Sequence, residues 1–314
     1  MNFDEIVLLS ALNDYKKFKY NEIVKLLREF QDVKNLFDAN QIELERLVTP
    51  AKASKFIEFR DKFNYDIYSK IIKELRTKNV SILPFYDTKY PELLKSISNP
   101  PLILFHKGSL MDFSNCIAVV GTRNLSHYGH KMARKLCQEL AQAGYTIVSG
   151  LARGTDTEAH CGALDVGGKT VAIMANNINE IYPPENEKLS LDIIESGALL
   201  SEATPFKKLE RSNFVTRNRI TSGLSKCIVV IESGDTRGTM HQINIASEQQ
   251  KPIFLLKPNN MNSRFTKDYI NFVNLGAILV SSSNEILDRL QEIDDYKLNK
   301  PLKKASNMTL EDFK

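Results

Sequence analysis

From Cys116 onward the chain sets seven short apolar runs in series, and all but one lead into a stretch with helical periodicity. The runs are Cys116–Val120, Thr146–Ser149, Thr170–Met174, Ala198–Glu202, Cys227–Glu232, Ile253–Lys257 and Ala277–Val280. The helical stretches are Tyr128–Gln142, Asp156–Asp165, Glu187–Ser196, Val215–Leu224, Thr239–Gln250 and Glu285–Gln291. A strand that is apolar along its whole length must be covered on both faces, and a helix between successive strands returns the chain to the same end of the sheet. The pattern therefore predicts an α/β fold, a Rossmann-like parallel sheet with helices on both faces. Ahead of it, Val80–Pro84 reads as an edge strand, Tyr90–Leu94 as a turn into a helix, and Pro100-Pro101 leads into the apolar run Leu102–Phe105.

The first 76 residues carry helical periodicity and little else. Ile6, Val7, Leu9 and Leu12, then Ile23, Val24, Leu26, Leu27 and Phe30, then Ile67, Ile71, Ile72 and Leu75 recur at spacings of one, three and four. The expected organisation is a small all-helical domain over 1–76, SAM-like or helix-hairpin-helix-like, a Rossmann-like domain over 77–292, and a polar, lysine-rich tail over 293–314. The helical domain has no Gly-x-Gly hairpin, so DNA binding and partner docking stay equally open for it. At 314 residues, 42% hydrophobic and 25% charged, the chain is long enough for two cores and too apolar for wholesale disorder. A net charge of +4 permits an anionic partner without requiring one. The four cysteines, Cys116, Cys137, Cys161 and Cys227, form no C-x-x-C pair and read as reduced, buried thiols. The N-terminus lacks the basic start and cleavage site of a signal peptide, and no apolar run reaches membrane-spanning length, which points to the cytoplasm.

Three strand ends carry glycine-containing turns: Gly121-Thr122-Arg123, Ser149-Gly150-Leu151-Ala152-Arg153-Gly154, and Ser233-Gly234 through Gly238-Thr239. Glycine lets backbone N–H groups approach an anion, and a helix N-terminus behind each loop adds a favourable dipole. Each turn alone could be no more than a tight connection; three on one sheet edge suggest a shared phosphate cradle. Between the fourth and fifth apolar runs lies Lys207-Lys208-Leu209-Glu210-Arg211-Ser212-Asn213-Phe214-Val215-Thr216-Arg217-Asn218-Arg219, which sets five basic residues and an aromatic at the start of a helix. Such a segment suits a phosphate backbone whose bases can stack, or else is a solvated charged loop. No G-x-G-x-x-G, G-x-x-x-x-G-K-[ST] or G-x-S-x-G motif is present, so dinucleotide redox, P-loop and serine-hydrolase chemistry recede. Thr155-Asp156-Thr157-Glu158 has the form of a capping box, a better account of Asp156 than metal ligation with His160 and Cys161.

Several blocks together resemble the DNA-processing protein A family (DprA, also called Smf). They are Tyr90-Pro91 with Leu93, Val119-Val120-Gly121-Thr122-Arg123 with Tyr128-Gly129, Ser149-Gly150-Leu151-Ala152 with Gly154, Asp156, Ala159 and His160, Tyr182-Pro183 with Asn186, Leu200-Ser201-Glu202, and Phe214 with Arg217-Asn218-Arg219-Ile220 and Ser222-Gly223-Leu224. The resemblance covers about 80–257. It implies a non-catalytic protein that binds single-stranded DNA in a basic pocket, forms a homodimer and helps load RecA recombinase in natural transformation, with no cofactor and no metal. It assigns DNA contact to Arg123, Arg211, Phe214, Arg217 and Arg219, and the basic run adds Lys207 to these. The chain departs from the family where Lys257-Pro258-Asn259-Asn260 replaces a Pro-Gly, where Arg237-Gly238-Thr239-Met240-His241-Gln242 replaces a Ser-Gly-Ser/Thr-Leu pattern, and in an end too short for the winged helix that many members carry. The alternative is a nucleotide-binding sensor or a nucleotide phosphoribohydrolase related to the lysine-decarboxylase-like group, whose Gly-Gly-x-Gly-Thr-x-x-Glu loop is similar to Gly234–Gln242. That hydrolysis needs a carboxylate where Gln242 stands.

Overall fold

A computed structural model describes residues 2–109, 112–205, 210–234, 237–260, 265 and 268–298. Its contacts divide the chain into two units, one of residues up to Tyr90 with Ser98–Phe105, the other of Pro91–Ile97 with the chain from His106.

In the first unit, apolar periodicity folds into α1 (Phe3–Asp14), α2 (Tyr20–Phe30), α3 (Val33–Asp38), α4 (Gln41–Glu45), α5 (Pro50–Lys62) and α6 (Tyr65–Thr77), followed by β1 (Val80–Pro84). Side-chain oxygens of Asn2, Asp32, Asn40 and Asn64 accept from N–H groups of the first turns of α1, α3, α4 and α6, replacing bonds that a helix start lacks. The core centres on Phe56, with the rings of Tyr15, Phe18 and Phe37 at 5.3, 5.3 and 5.4 Å. Ile67 shares the α6 period but lies exposed.

In the second unit, α7 (Glu92–Lys95) and β2 (Ile103–Gly108, which crosses the division) precede the alternating series. The series is β3 (Cys116–Val120), α8 (His127–Gln142), β4 (Thr146–Ser149), α9 (Thr155–Asp165), β5 (Thr170–Met174), α10 (Glu187–Ser196), β6 (Ala198–Ser201), α11 (Arg211–Gly223), β7 (Cys227–Val230), α12 (Arg237–Glu248), β8 (Ile253–Leu256), α13 (Tyr269–Asn274), β9 (Ile278–Val280) and α14 (Ser283–Leu298). The strands lie in the order β6-β5-β4-β3-β7-β8-β9, and every described pairing among them is parallel. Alternate residues of each strand serve opposite faces. Ile117 and Val119 pack with Leu136, Leu140, Ala159 and Leu290, whereas Ala118 and Val120 pack with Ile243, Ala246 and Phe272. Full burial of each such aliphatic side chain contributes about 1.5–3 kcal/mol, which is why uninterrupted apolar runs form the centre of the sheet.

The fold is the Rossmann-like parallel sheet expected from the alternation, with differences at its margins. α11 starts at Arg211 instead of Val215, and α13 forms in a stretch where no helix was expected. α14 continues to Leu298, past the boundary expected at 292, so the first residues of the expected polar tail are helical. Cys116, Cys137 and Cys227 are buried and Cys161 is half-buried, and all four are free thiols. Burial pushes the Cys116 thiol up to about 12. No helix among the described residues is long and apolar enough to cross a membrane.

Candidate nucleic-acid interface

The strand order sets β4, β3 and β7 side by side, so the three glycine-containing turns leave neighbouring strands at the C-terminal edge of the sheet. They are not equivalent. In the first, the Thr122 N–H donates to the Glu232 carbonyl at 2.9 Å, and the Thr122 carbonyl accepts from the N–H and hydroxyl of Thr155 at 3.2 and 3.0 Å. A Cβ on Gly121 would stand 2.5 Å from the Thr155 hydroxyl, so that glycine is required for close approach of two loops. The Glu232 carboxylate, itself buried, accepts from the Ser126 N–H at 2.8 Å and from its hydroxyl at 2.5 Å. The segment that carries Arg123 is thus pinned at both ends.

In the second turn, the buried Ser149 hydroxyl donates to the Val119 carbonyl at 2.7 Å. The N–H groups of Gly150 and Ala152 donate to one carboxylate oxygen of Asp156 at 3.1 and 3.2 Å. This is an anion-binding nest already filled by a side chain from the first turn of α9. The expected capping box is absent. Gly154, at φ +72°, is the N-cap of α9 and turns Thr155 towards the Thr122 carbonyl, while Glu158 faces His130 at 3.0 Å and Arg134 at 3.6 Å. His160 is fully buried against the Thr170 hydroxyl at 2.7 Å, and burial, with the Arg217 charge second, pushes its pKa down to about 3. Asp156 and His160 are therefore engaged separately, and no three His, Cys, Asp or Glu side chains among the described residues are grouped to hold a metal ion.

The third turn differs again. Gly234 packs against Thr122, Gly238 borders open space, and the hydroxyls of Ser233 and Thr239 are buried with no partner among the described residues. Thr239 lies in the first turn of the twelve-residue α12, and both hydroxyls are shut off from solvent.

The basic residues divide in the same way. Arg123 is exposed, and its guanidinium lies over the Phe214 ring, 5.7 Å from the centroid. Phe214 in turn meets Tyr182 edge to face, with centroids 6.0 Å apart. Tyr182 was not assigned a role from the sequence, although Tyr182-Pro183 was part of the resemblance. Arg153 is exposed and paired with Glu185, three residues from Tyr182 in the chain. Three positions on from Phe214, Arg217 falls on the inner face of α11. It is buried, donates from Nη1 to the Ile173 carbonyl, and packs against Gly150, where an added Cβ would stand 1.9 Å from Nη1. Loss of water lowers the Arg217 pKa, with Asp156 acting in the opposite direction and Arg123 adding to the fall. Arg219 pairs with Glu202 at 2.8 Å and is mostly buried. Of the expected contact residues, Arg123 is exposed and Phe214 half-buried, Arg217 and Arg219 are held inside, and Lys207 and the side chain of Arg211 lie outside the described residues. Gln242 is buried and donates from its amide to the Asn218 carbonyl at 3.1 Å, joining α12 to α11.

A family model described as DNA recombination-mediator protein A matches residues 81–291. Protein Smf of Synechocystis sp. is 33% identical over 276 residues, covering 86% of this chain and 68% of that protein. The DNA processing protein DprA of Bacillus subtilis is 32% identical over 230 residues, covering 73% and 77%. The X-ray structure of DNA processing protein A from Streptococcus pneumoniae superposes with a TM-score of 0.78 at 27% identity, covering 92% of this chain and 98% of that one. A structure of DNA processing protein A from Helicobacter pylori, described for its single-stranded DNA binding mode, gives a TM-score of 0.61 at 26% identity over 68% and 96%.

Proposed function

The chain belongs to the DNA recombination-mediator protein A family, and from that premise we propose that it binds single-stranded DNA without turning it over. The binding surface is the edge of the second unit, from Tyr182 across Phe214 and Arg123 to the third glycine-containing turn. One observation carries the reading most: an exposed guanidinium seated on a half-buried aromatic ring beside adjacent glycine-rich strand ends. The guanidinium offers charge to a phosphate, and the ring offers a face that a base in a duplex cannot reach.

The partner expected from the family resemblance is RecA recombinase, to which the bound strand is passed in the cytoplasm. The assembly is a homodimer of the second unit. Ile243 and Ala246 of α12 are in the core. The proposed face is β9, the last strand of the sheet, where Ile278 and Leu279 are exposed and Ile270 of neighbouring α13 is 75% exposed. An unpaired strand edge with apolar neighbours is a surface that soluble proteins cover. Nucleotide hydrolysis has less in its favour, because Gln242 is neutral and committed to Asn218. Fluorescence anisotropy of labelled single-stranded, duplex and mononucleotide ligands across a salt series tests the reading. Tighter binding of the single strand is expected, and equal or tighter binding of the duplex or the mononucleotide refutes it.

A further inference from the structure

We propose that Tyr182 is a second base-stacking residue, taking the nucleobase next to the one on Phe214; this rests on the single-strand reading above. Tyr182 is 48% exposed on the connection between β5 and α10, so its ring does not serve the core. Its edge-to-face contact with Phe214, at an interplanar angle of 63°, fixes the two rings as a corner that presents two separate faces. Tyrosine suits such a place, since its apolar face can take a base while its hydroxyl stays in water. The charges agree with the rings: Arg123 lies beside Phe214, and Arg153 is paired with Glu185, three residues on from Tyr182 in the chain. A strand crossing the corner therefore meets a guanidinium and then two rings.

The spacing selects the ligand. The ring centroids are 6.0 Å apart and the planes are far from parallel. Neighbouring bases of a duplex strand are parallel and step by about 3.4 Å, so they cannot occupy both rings, whereas a splayed single strand can. Phe214 alone would favour an unpaired base; the pair favours two successive unstacked bases.

The test compares an oligothymidylate with an abasic oligomer of the same length and charge, bound to the full chain carrying Tyr182, Tyr182→Phe or Tyr182→Ala. Stacking is worth enough per base that Tyr182→Ala should weaken oligothymidylate binding on the order of tenfold. Its salt slope should not change, its affinity for the abasic strand should stay within about twofold, and Tyr182→Phe should bind both strands as the parent does. Equal losses on both strands, or no loss on either, overturn the role of Tyr182 and leave the interface reading intact. A parent protein that binds neither strand overturns both.

Discussion

Replacing Gly150 with alanine tests whether Arg217 is part of the framework, as its burial implies, or a mobile contact for DNA. Gly150 does not have a positive φ, so the backbone accepts alanine and any cost comes from contact. The new Cβ would stand 1.9 Å from Arg217 Nη1, where ordinary contact begins at 3.4 Å. The guanidinium must retreat by about 1.5 Å, too far to keep its bond to the Ile173 carbonyl. A hydrogen bond from a charged group contributes about 1.5–3 kcal/mol, and overpacking a filled site costs about 1–3 kcal/mol. Relief of one is the loss of the other, so the two do not add, and the expected destabilisation is about 2–3 kcal/mol. For a unit of this size that lowers the melting temperature by roughly 4–12 °C. Urea unfolding should show the midpoint falling with the m-value unchanged. Arg217→Met, shorter in reach and uncharged, should restore most of the loss when combined with Gly150→Ala. A Gly150→Ala protein within about 0.5 kcal/mol of the parent, or a double variant with additive losses, would refute the account.

Arg123→Ala should weaken single-strand binding and lower the salt slope by about 0.7, as loss of one phosphate contact requires, while Phe214→Ala weakens binding with the slope unchanged. Arg219→Ala, which removes the partner of Glu202 from the interior, should lower the melting temperature and leave the slope alone; a reduced slope in a fully folded Arg219→Ala protein would place that side chain on the DNA instead. Acid should destabilise the second unit through His160. Its folded pKa is pushed down to about 3 from an ordinary 6.5, so between those values only the unfolded chain binds the proton. Stability is then full above about pH 6.5 and falls as pH drops towards 3, by up to about 1.4 kcal/mol per pH unit, and His160→Gln should remove that part of the slope in urea titrations at pH 7 and 5. Ile278→Arg on the β9 edge should give a monomer by light scattering with the fold retained; an unchanged dimer would move the interface elsewhere.

The seven strands of the series were legible because burial on both faces leaves a run such as Cys116–Val120 without a polar position. The glycine-containing turns were legible for a similar reason, since backbone approach at Gly121 excludes any side chain. α13 was not, because a six-residue helix gives too few turns for a period to show. The fate of the arginines was hidden for another reason. Arg217 and Arg219 look like surface charges in a basic run, and only the docking of α11 against the sheet decides that they face Ile173 and Glu202. The contact of Tyr182 with Phe214 joins residues on either side of β6, a juxtaposition that depends on loop paths and not on any local pattern.

The carboxylate of Asp156, reaching from the first turn of α9 into the loop after β4, has a consequence for which anions the edge accepts. Tethered six residues from Gly150 and four from Ala152, it is present at their N–H groups at an effective concentration far above that of any free ion. Inorganic phosphate or a lone nucleotide arriving at this loop competes with a resident anion that never diffuses away. A polymer does not need these two amides, because it can reach the neighbouring turn and the rings simultaneously and add their contributions. The same side chain sets the loop in its final shape before a strand arrives, so association involves little ordering of backbone. If the edge binds DNA as proposed, a preference for a polymer over small anions would already be set in the empty protein by the Asp156 carboxylate.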